Sequence, residues 1–214
     1  MFLVVIATDQ EMGPIAERLA GIVGWLPLVT GVGCLETAVT LTRFLASSRT
    51  PIQGIINVGV AGAFVGAEPG LLDICLAEQE TQADVGIWTD EGIIDFDTIQ
   101  IPIQFSMQGA LLDKARTIFS AHGTEVWTGP FVSVSAVSGT MRRGEALRQR
   151  FHAICENMEG ATVARVAREF DLPCLELRTI SNIVLDRDLS TWQLAAAIRR
   201  SAEALAILLP GLKA

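Results

Sequence analysis

Histidine and closely spaced cysteine are scarce in this 214-residue chain. The two histidines, His122 and His152, are isolated and lack ligand spacing, so neither supports zinc. The four cysteines, Cys34, Cys75, Cys155 and Cys174, form no CxxC pair and sit among apolar or small residues. They read as buried free thiols, not as a disulfide framework or a metal site. Positive charge is also short: 16 Lys and Arg against 24 Asp and Glu leave a formal net charge of −8. No basic patch is left to collect phosphates, which excludes a nucleic-acid backbone as partner. The densest basic cluster, Arg142, Arg143, Arg148 and Arg150, has the spacing of a solvated helix face. No apolar run is long enough to cross a bilayer. The stretch Phe2–Ala7, followed at once by Asp9 and Glu11, lacks the basic lead and cleavage pattern of a signal peptide. A cytoplasmic protein with no membrane partner is expected.

What is present suits one α/β domain spanning residues 1–214, with chain enough for a large core. Phe2–Ala7 is continuously apolar and reads as a central strand. Thr8 and Asp9 can cap the helix that follows, which puts Glu11 in its first turn, beyond a strand end. Such a carboxylate either favours the helix N-terminus or points at a ligand crevice, and position alone leaves both open. Leu28–Thr30 reads as a short strand, then Gly31-Val32-Gly33, then a helix over about 35–45. That junction can present free backbone N–H groups to an anion or a sugar hydroxyl. Gln53–Val58 is a buried strand running into a second small-residue turn, Gly59-Val60-Ala61-Gly62-Ala63, where backbone can approach a ligand closely. Shorter strands are expected at Leu71–Glu80 and Asp84–Ile94, a loop over Asp95–Met107, and a helix at Ala110–Phe119. Phe131–Val137 alternates as a strand with one polar face, and a helix covers about 142–151. The last helix, Ser190–Leu209, carries a buried stripe that includes Trp192, Leu194, Ala195 and Ile198. This order predicts a three-layer α/β sandwich, a central mixed sheet flanked by helices.

The organising stretch is Ile154–Arg187. A short run carries Glu156 and Glu159, Gly160 opens a helix, Pro173 ends it, and a strand-like run finishes at Ser181 and Asn182. This is a strand–helix–strand unit with polar residues at strand ends, where open α/β sheets bind ligands.

Together these pieces resemble the purine nucleoside phosphorylase superfamily. The correspondence is nearest to its nucleosidase branch and, within that, to the futalosine hydrolases. The matching segments are IATDQEM, TGVG, NVGVAGAF, SAVSGT, ENMEGATVA and LRTISNIVLDRD, which run from Ile6 to Asp188 and cover nearly the whole chain. The resemblance implies a purine nucleoside as ligand, hydrolysis of its N-glycosidic bond without metal or organic cofactor, and a homodimer or higher homo-oligomer. It places Met158 and Glu159 at the ribose diol, Glu11 at the attacking water, and Val137 against the purine. Gly31, Gly33, Gly59 and Gly62 are expected near the substrate. Asn182 stands where adenine-cleaving nucleosidases carry an aspartate. The neutral amide removes that acid donor and leans the base towards hypoxanthine, with futalosine as substrate in the alternative menaquinone route. Asn157 replaces a family glutamate, so no charge role transfers to it. Futalosine's carboxylated tail calls for a cation, for which Arg187 and Arg142 are the candidates. The glycine turns have no nearby arginine, so a phosphate dianion would lack partners and water is the expected nucleophile. A methylthioadenosine/S-adenosylhomocysteine nucleosidase, a phosphorylase and a non-catalytic nucleoside sensor are the alternatives.

Overall fold

Five consecutive apolar residues form β1 (Phe2–Ile6), which is buried along its length; the computed structural model describes residues 1–89 and 92–213. Thr8 caps α1 (Asp9–Arg18) by accepting from the N–H of Glu11. Parallel to β1 runs β2 (Trp25–Val29), an edge strand, which is where a residue such as Pro27 is tolerated. Next come α2 (Cys34–Ser47), β3 (Gly54–Phe64) and β4 (Ile74–Gln82). A small hairpin, β5 (Ile87–Thr89) and β6 (Gly92–Ile94), precedes β7 (Gln104–Ser106) and α3 (Ala110–Ala121). The chain continues through β8 (Trp127–Ser133), α4 (Met141–Phe151), β9 (Cys155–Asn157) and α5 (Gly160–Glu169). It ends in β10 (Cys174–Val184), a 3-10 turn at Leu189–Thr191, and α6 (Leu194–Lys213).

The main sheet is mixed and runs β2-β1-β3-β9-β8-β4-β10, and β10 returns to pair with β3. Five strands therefore close a ring, with β1 and β2 extending from it as an open wing. Alternate residues of β1 serve opposite faces, as the period of a strand requires. Val4 and Ile6 pack with Ile15 of α1, Phe119 of α3 and Leu205 of α6. Leu3 and Val5 pack with Leu41 of α2 and Val163 of α5. Helices thus cover both faces, and the three-layer α/β architecture read from the sequence is the observed one.

Several local readings change. Gly59–Ala63 is not a turn: β3 runs unbroken to Phe64, and neither Gly59 nor Gly62 has a positive φ. The small residues mark where other side chains approach the strand, not where it reverses. The strand at Phe131–Val137 sits earlier, from Trp127 to Ser133, and carries Pro130 at a register shift against β4. A proline there costs the ladder little, so the strand can begin before it. The expected loop Asp95–Met107 contains β7, paired with β4. Within Asp84–Ile94, positions 90 and 91 lie outside the described residues. The last helix starts at Leu194, so Trp192 precedes it, and Ala195 is exposed instead of belonging to the buried stripe.

Helix α4 is seated on the ring through Gly144. A Cβ there would lie 2.5 Å from Cγ1 of Val184 and 3.3 Å from Cδ1 of Phe64. Gly144→Ala gains about 1 kcal/mol of helix propensity at most, against about 1–3 kcal/mol for overpacking. A net loss of stability is predicted, read as a lower urea midpoint; an unchanged or higher midpoint would show that α4 has slack over Val184.

Candidate active site

Where β1, β3 and β10 end, a cavity of about 340 Å³ opens, within the range of small-molecule sites. It is lined by Thr8 and Glu11 from the first strand–helix junction, Val60 to Gly62 of β3, and Val137 and Ser138. The segment Glu156–Glu159, Arg178, Ser181, Asn182 and an apolar wall of Trp192, Leu194 and Ile198 complete it.

Glu11 is 7% exposed and is held by the Thr8 hydroxyl, which donates to Oε2 at 2.7 Å. Burial raises its pKa; the Thr8 hydrogen bond and the Arg178 charge pull the other way. Gly59 is the reason both groups fit here. A Cβ at that position would lie 2.5 Å from Nη1 of Arg178 and 3.1 Å from Oε1 of Glu11.

Glu159 stands at the N-cap position of α5 but makes no side-chain cap bond. Asn157 does that work, its Oδ1 accepting from the N–H groups of Glu159 at 3.0 Å and Gly160 at 2.8 Å. The Glu159 carboxylate instead accepts from Gly33 N–H at 3.0 Å and from Nη2 of Arg178 at 3.4 Å. Gly31 and Gly33, with φ of 90° and 87°, make the left-handed turn that aims this N–H across the site. Cys34 ties the same turn to the site by donating its S–H to the backbone carbonyl of Met158 at 3.5 Å.

The sequence reading missed Arg178. It is 2% exposed, and its Nε donates to Glu176 at 2.8 Å. Burial lowers its pKa, but Glu176 and Glu159 outweigh that and keep the guanidinium charged. Behind it, Glu80 receives the Asn157 amide on Oε1 and the Ser133 hydroxyl on Oε2, the latter at 2.9 Å. Glu176 Oε2 has no other donor among the described residues. Burial, then the charge of Glu176, pushes the Glu80 carboxyl well above the ordinary range, so Glu80 is the neutral acid that donates to Glu176. One signal was available: Glu176 and Arg178, two apart on an otherwise apolar strand, share a face and carry opposite charge.

A register shift between Ile180 and Asn182 re-aims the end of β10 into the cavity. Ser181 donates its hydroxyl to Oδ1 of Asn182 at 2.8 Å, which orients the amide and leaves the Nδ2 amine to donate to a ligand while Oδ1 keeps one further lone pair. Of the two arginines considered for a substrate tail, Arg187 is exposed and stacks on Trp192, 5.1 Å from the ring centroid, at the cavity rim. Arg142 does not come to this cavity: α4 turns it onto a separate groove with Asp84, Arg143 and Arg150.

A family model of the phosphorylase superfamily matches residues 25–212. Futalosine hydrolase of Thermus thermophilus is 31% identical over 186 residues, 87% of this chain and 81% of that protein. A 5′-methylthioadenosine/S-adenosylhomocysteine nucleosidase of Mycobacterium bovis is 28% identical, covering 86% and 80%. Among solved structures, a futalosine hydrolase mutant of Helicobacter pylori superposes with a TM-score of 0.85 at 23% identity, covering 98% of each chain, a likeness of fold. The chain belongs to the phosphorylase superfamily, on the nucleosidase branch that holds these relatives.

The proton held by Glu80 gives a stability signature. Its folded pKa lies above the unfolded value, so stability is full below the unfolded carboxyl pKa of about 4.3 and is lost as pH rises through the folded pKa. Glu80→Gln supplies an amide donor that does not titrate. The variant is predicted to lose less stability than the wild type between pH 5 and 8 in urea titrations. Parallel slopes would mean that Glu80 is ionised in the fold.

Proposed function

We infer that this chain hydrolyses the N-glycosidic bond of a 6-oxopurine nucleoside, futalosine in particular, releasing hypoxanthine and dehypoxanthine futalosine. The observation that carries the reading is the convergence of Glu11, Glu159 and the Asn182 amine on one cavity. Glu159 uses one donor on each oxygen for Gly33 and Arg178, and its remaining lone pairs accept from the ribose 2′- and 3′-hydroxyls. Glu11 orients a water molecule on the sugar face opposite the base. As the bond from C1′ to N9 lengthens, its electron pair leaves with the base and positive charge gathers on the sugar. The water oxygen then bonds to C1′ and Glu11 takes its proton; the purine anion takes up a proton from solvent to leave as the neutral base, and Glu11 releases its own to solvent, so the charges balance over the turnover. Asn182 donates to the departing purine, a weaker aid than the carboxylic acid of an adenine-specific site.

Water is favoured over phosphate by the pairing of Arg178. It is the one cation lining the cavity among the described residues, and Glu176 and Glu159 already engage it. A dianion placed beside it would meet carboxylates on both sides. The identity with the Thermus thermophilus futalosine hydrolase supports the choice of substrate. The Mycobacterium bovis relative keeps methylthioadenosine/S-adenosylhomocysteine cleavage as the second reading, which lacks an acid donor at Asn182.

Product analysis in phosphate-free buffer, with futalosine, inosine, methylthioadenosine and S-adenosylhomocysteine offered side by side, tests this. Hypoxanthine from futalosine alone is the expected outcome. Adenine from either thio-nucleoside would move the assignment to the second reading, and turnover that requires phosphate would make the chain a phosphorylase.

Glu11 must be ionised to take a proton, so the rate rises with pH through its pKa. Because that pKa is raised, the acid limb of kcat/KM is predicted above the ordinary glutamate value. Thr8→Val removes the hydrogen bond that opposes the shift and should move the limb to higher pH still. An unmoved limb would separate Glu11 from the proton transfer.

A further inference from the structure

Two buried carboxylates of the polar network do not line the cavity and have no part in the chemistry above. Glu80 on β4 and Glu176 on β10 are both 0% exposed and meet over Gly160. A Cβ at that position would collide with Oε1 of Glu80 and with both carboxylate oxygens of Glu176, so only glycine lets the two acids approach each other at the start of α5. One proton lies between them, on Glu80, and the single negative charge of the pair therefore rests on Glu176.

That charge faces a cation. Nε of Arg178 donates to Oε1 of Glu176 at 2.8 Å, and Nδ2 of Asn57 donates to the same oxygen at 3.2 Å. The far side of the guanidinium turns to the cavity. Nη2 reaches Asn157 at 3.3 Å and Glu159 at 3.4 Å, and Nη1 reaches the Val60 carbonyl at 3.4 Å. Burial would strip the Arg178 proton, and the charge of Glu176 does most to keep it, ahead of Glu159.

Arg178 is thus a cation at the wall of a cavity in which the sugar must become a cation. At an effective dielectric of about 20, two like unit charges about 8 Å apart disfavour each other by about tenfold or more. Glu11 and Glu159 can offset Arg178 only at the expense of the charge they offer the sugar. Glu176 offsets it from the side away from the cavity. We propose that Glu176 is a positioning residue for the reaction, cancelling the charge of Arg178 from behind so that the positive charge gathering on the sugar meets Glu11 and Glu159 unopposed. Glu80 serves the same end by holding the proton that ties the pair's charge to Glu176. This rests on the functional reading above in taking a sugar to occupy the cavity beside Glu159.

The test uses two purine nucleoside analogues that resist hydrolysis and carry the same base. One has a protonated pyrrolidine in place of the sugar ring, the other a neutral carbocycle. Their binding to the wild type and to Glu80→Gln/Glu176→Gln is measured by calorimetry. Both acids are changed because Glu80 could otherwise release its proton and restore the charge. The amide carbonyl at position 176 can still accept from Nε of Arg178. The ratio of cationic to neutral affinity is predicted to fall by about tenfold or more, with the neutral analogue bound within about threefold of the wild type. If Glu176 only anchored the Arg178 side chain, both analogues would weaken alike and the ratio would stand, which overturns the proposal. With futalosine, kcat should fall by about tenfold or more and KM change by less than about threefold, because the charge arises only as the bond breaks; a loss carried by KM alone overturns the proposal.

Should the double variant fail to fold with Arg178 left unpaired, adding Arg178→Gln removes that charge as well. The triple variant is predicted to return the ratio to within about threefold of the wild type, and a ratio still about tenfold lower overturns the proposal. An unchanged ratio with futalosine still hydrolysed would remove the role of Glu176 alone. The predicted fall in a protein that splits no nucleoside would leave the charge cancellation standing and remove the hydrolase.

Discussion

The polar floor of the site depends on a guanidinium that is almost wholly buried. A buried charge of that kind is tolerated only with partners, and removing one side of such a pair costs about 3–5 kcal/mol. Arg178 therefore fixes the positions of Glu176 and Glu159 and leans on Asn157. Through Glu159 the constraint reaches Gly33 and the turn before α2. Glu80 could add a further negative charge to this group; because it keeps its proton, it contributes a donor instead. The residues that would meet ribose are held by the same network that makes the buried charge tolerable.

Two absences of side chain make the network possible. Gly59 leaves the space in which Arg178 and Glu11 come near one another, and Gly62 leaves the space that the Asn182 amide and Val184 occupy. Both lie within a continuous strand, so what glycine supplies at these positions is volume, not conformational freedom. The positive φ values belong to Gly31 and Gly33, where the chain does turn. The bulge at Ser181 adds the remaining element, since it redirects the end of β10 and orients the amide beside it.

The sequence made the ends of strands legible and the middle of the network much less so. Glu11, Glu159 and Asn182 follow apolar runs or open helices, and a polar residue at such a boundary stands out. The strand–helix–strand unit from Ile154 to Arg187 was readable because Gly160 and Pro173 punctuate it. Arg178 and Glu80 lie inside buried strands, where local pattern says only that a side chain is covered. Their meaning comes from partners on other strands, since Glu80 and Asn157 are far apart in the chain and joined by the ring. Trp192 was misplaced for a related reason. Its spacing fits the apolar stripe of α6, but the helix begins after it and the ring faces Arg187 and the cavity. Gly59 to Ala63 was read as a turn because small residues usually punctuate a chain; here they accommodate side chains from neighbouring elements.

The return of β10 to β3 also bears on how the chain behaves among copies of itself. An open sheet presents two edges whose unpaired N–H and C=O groups can recruit a strand from another molecule. By closing five strands into a ring, this fold spends most of those groups internally. One end of the sheet path is β2, whose middle residue is Pro27, with no N–H to offer. The strand that branches from β4 is β7, three residues long. A chain rich in apolar strands thus offers little template for strand addition along its main sheet.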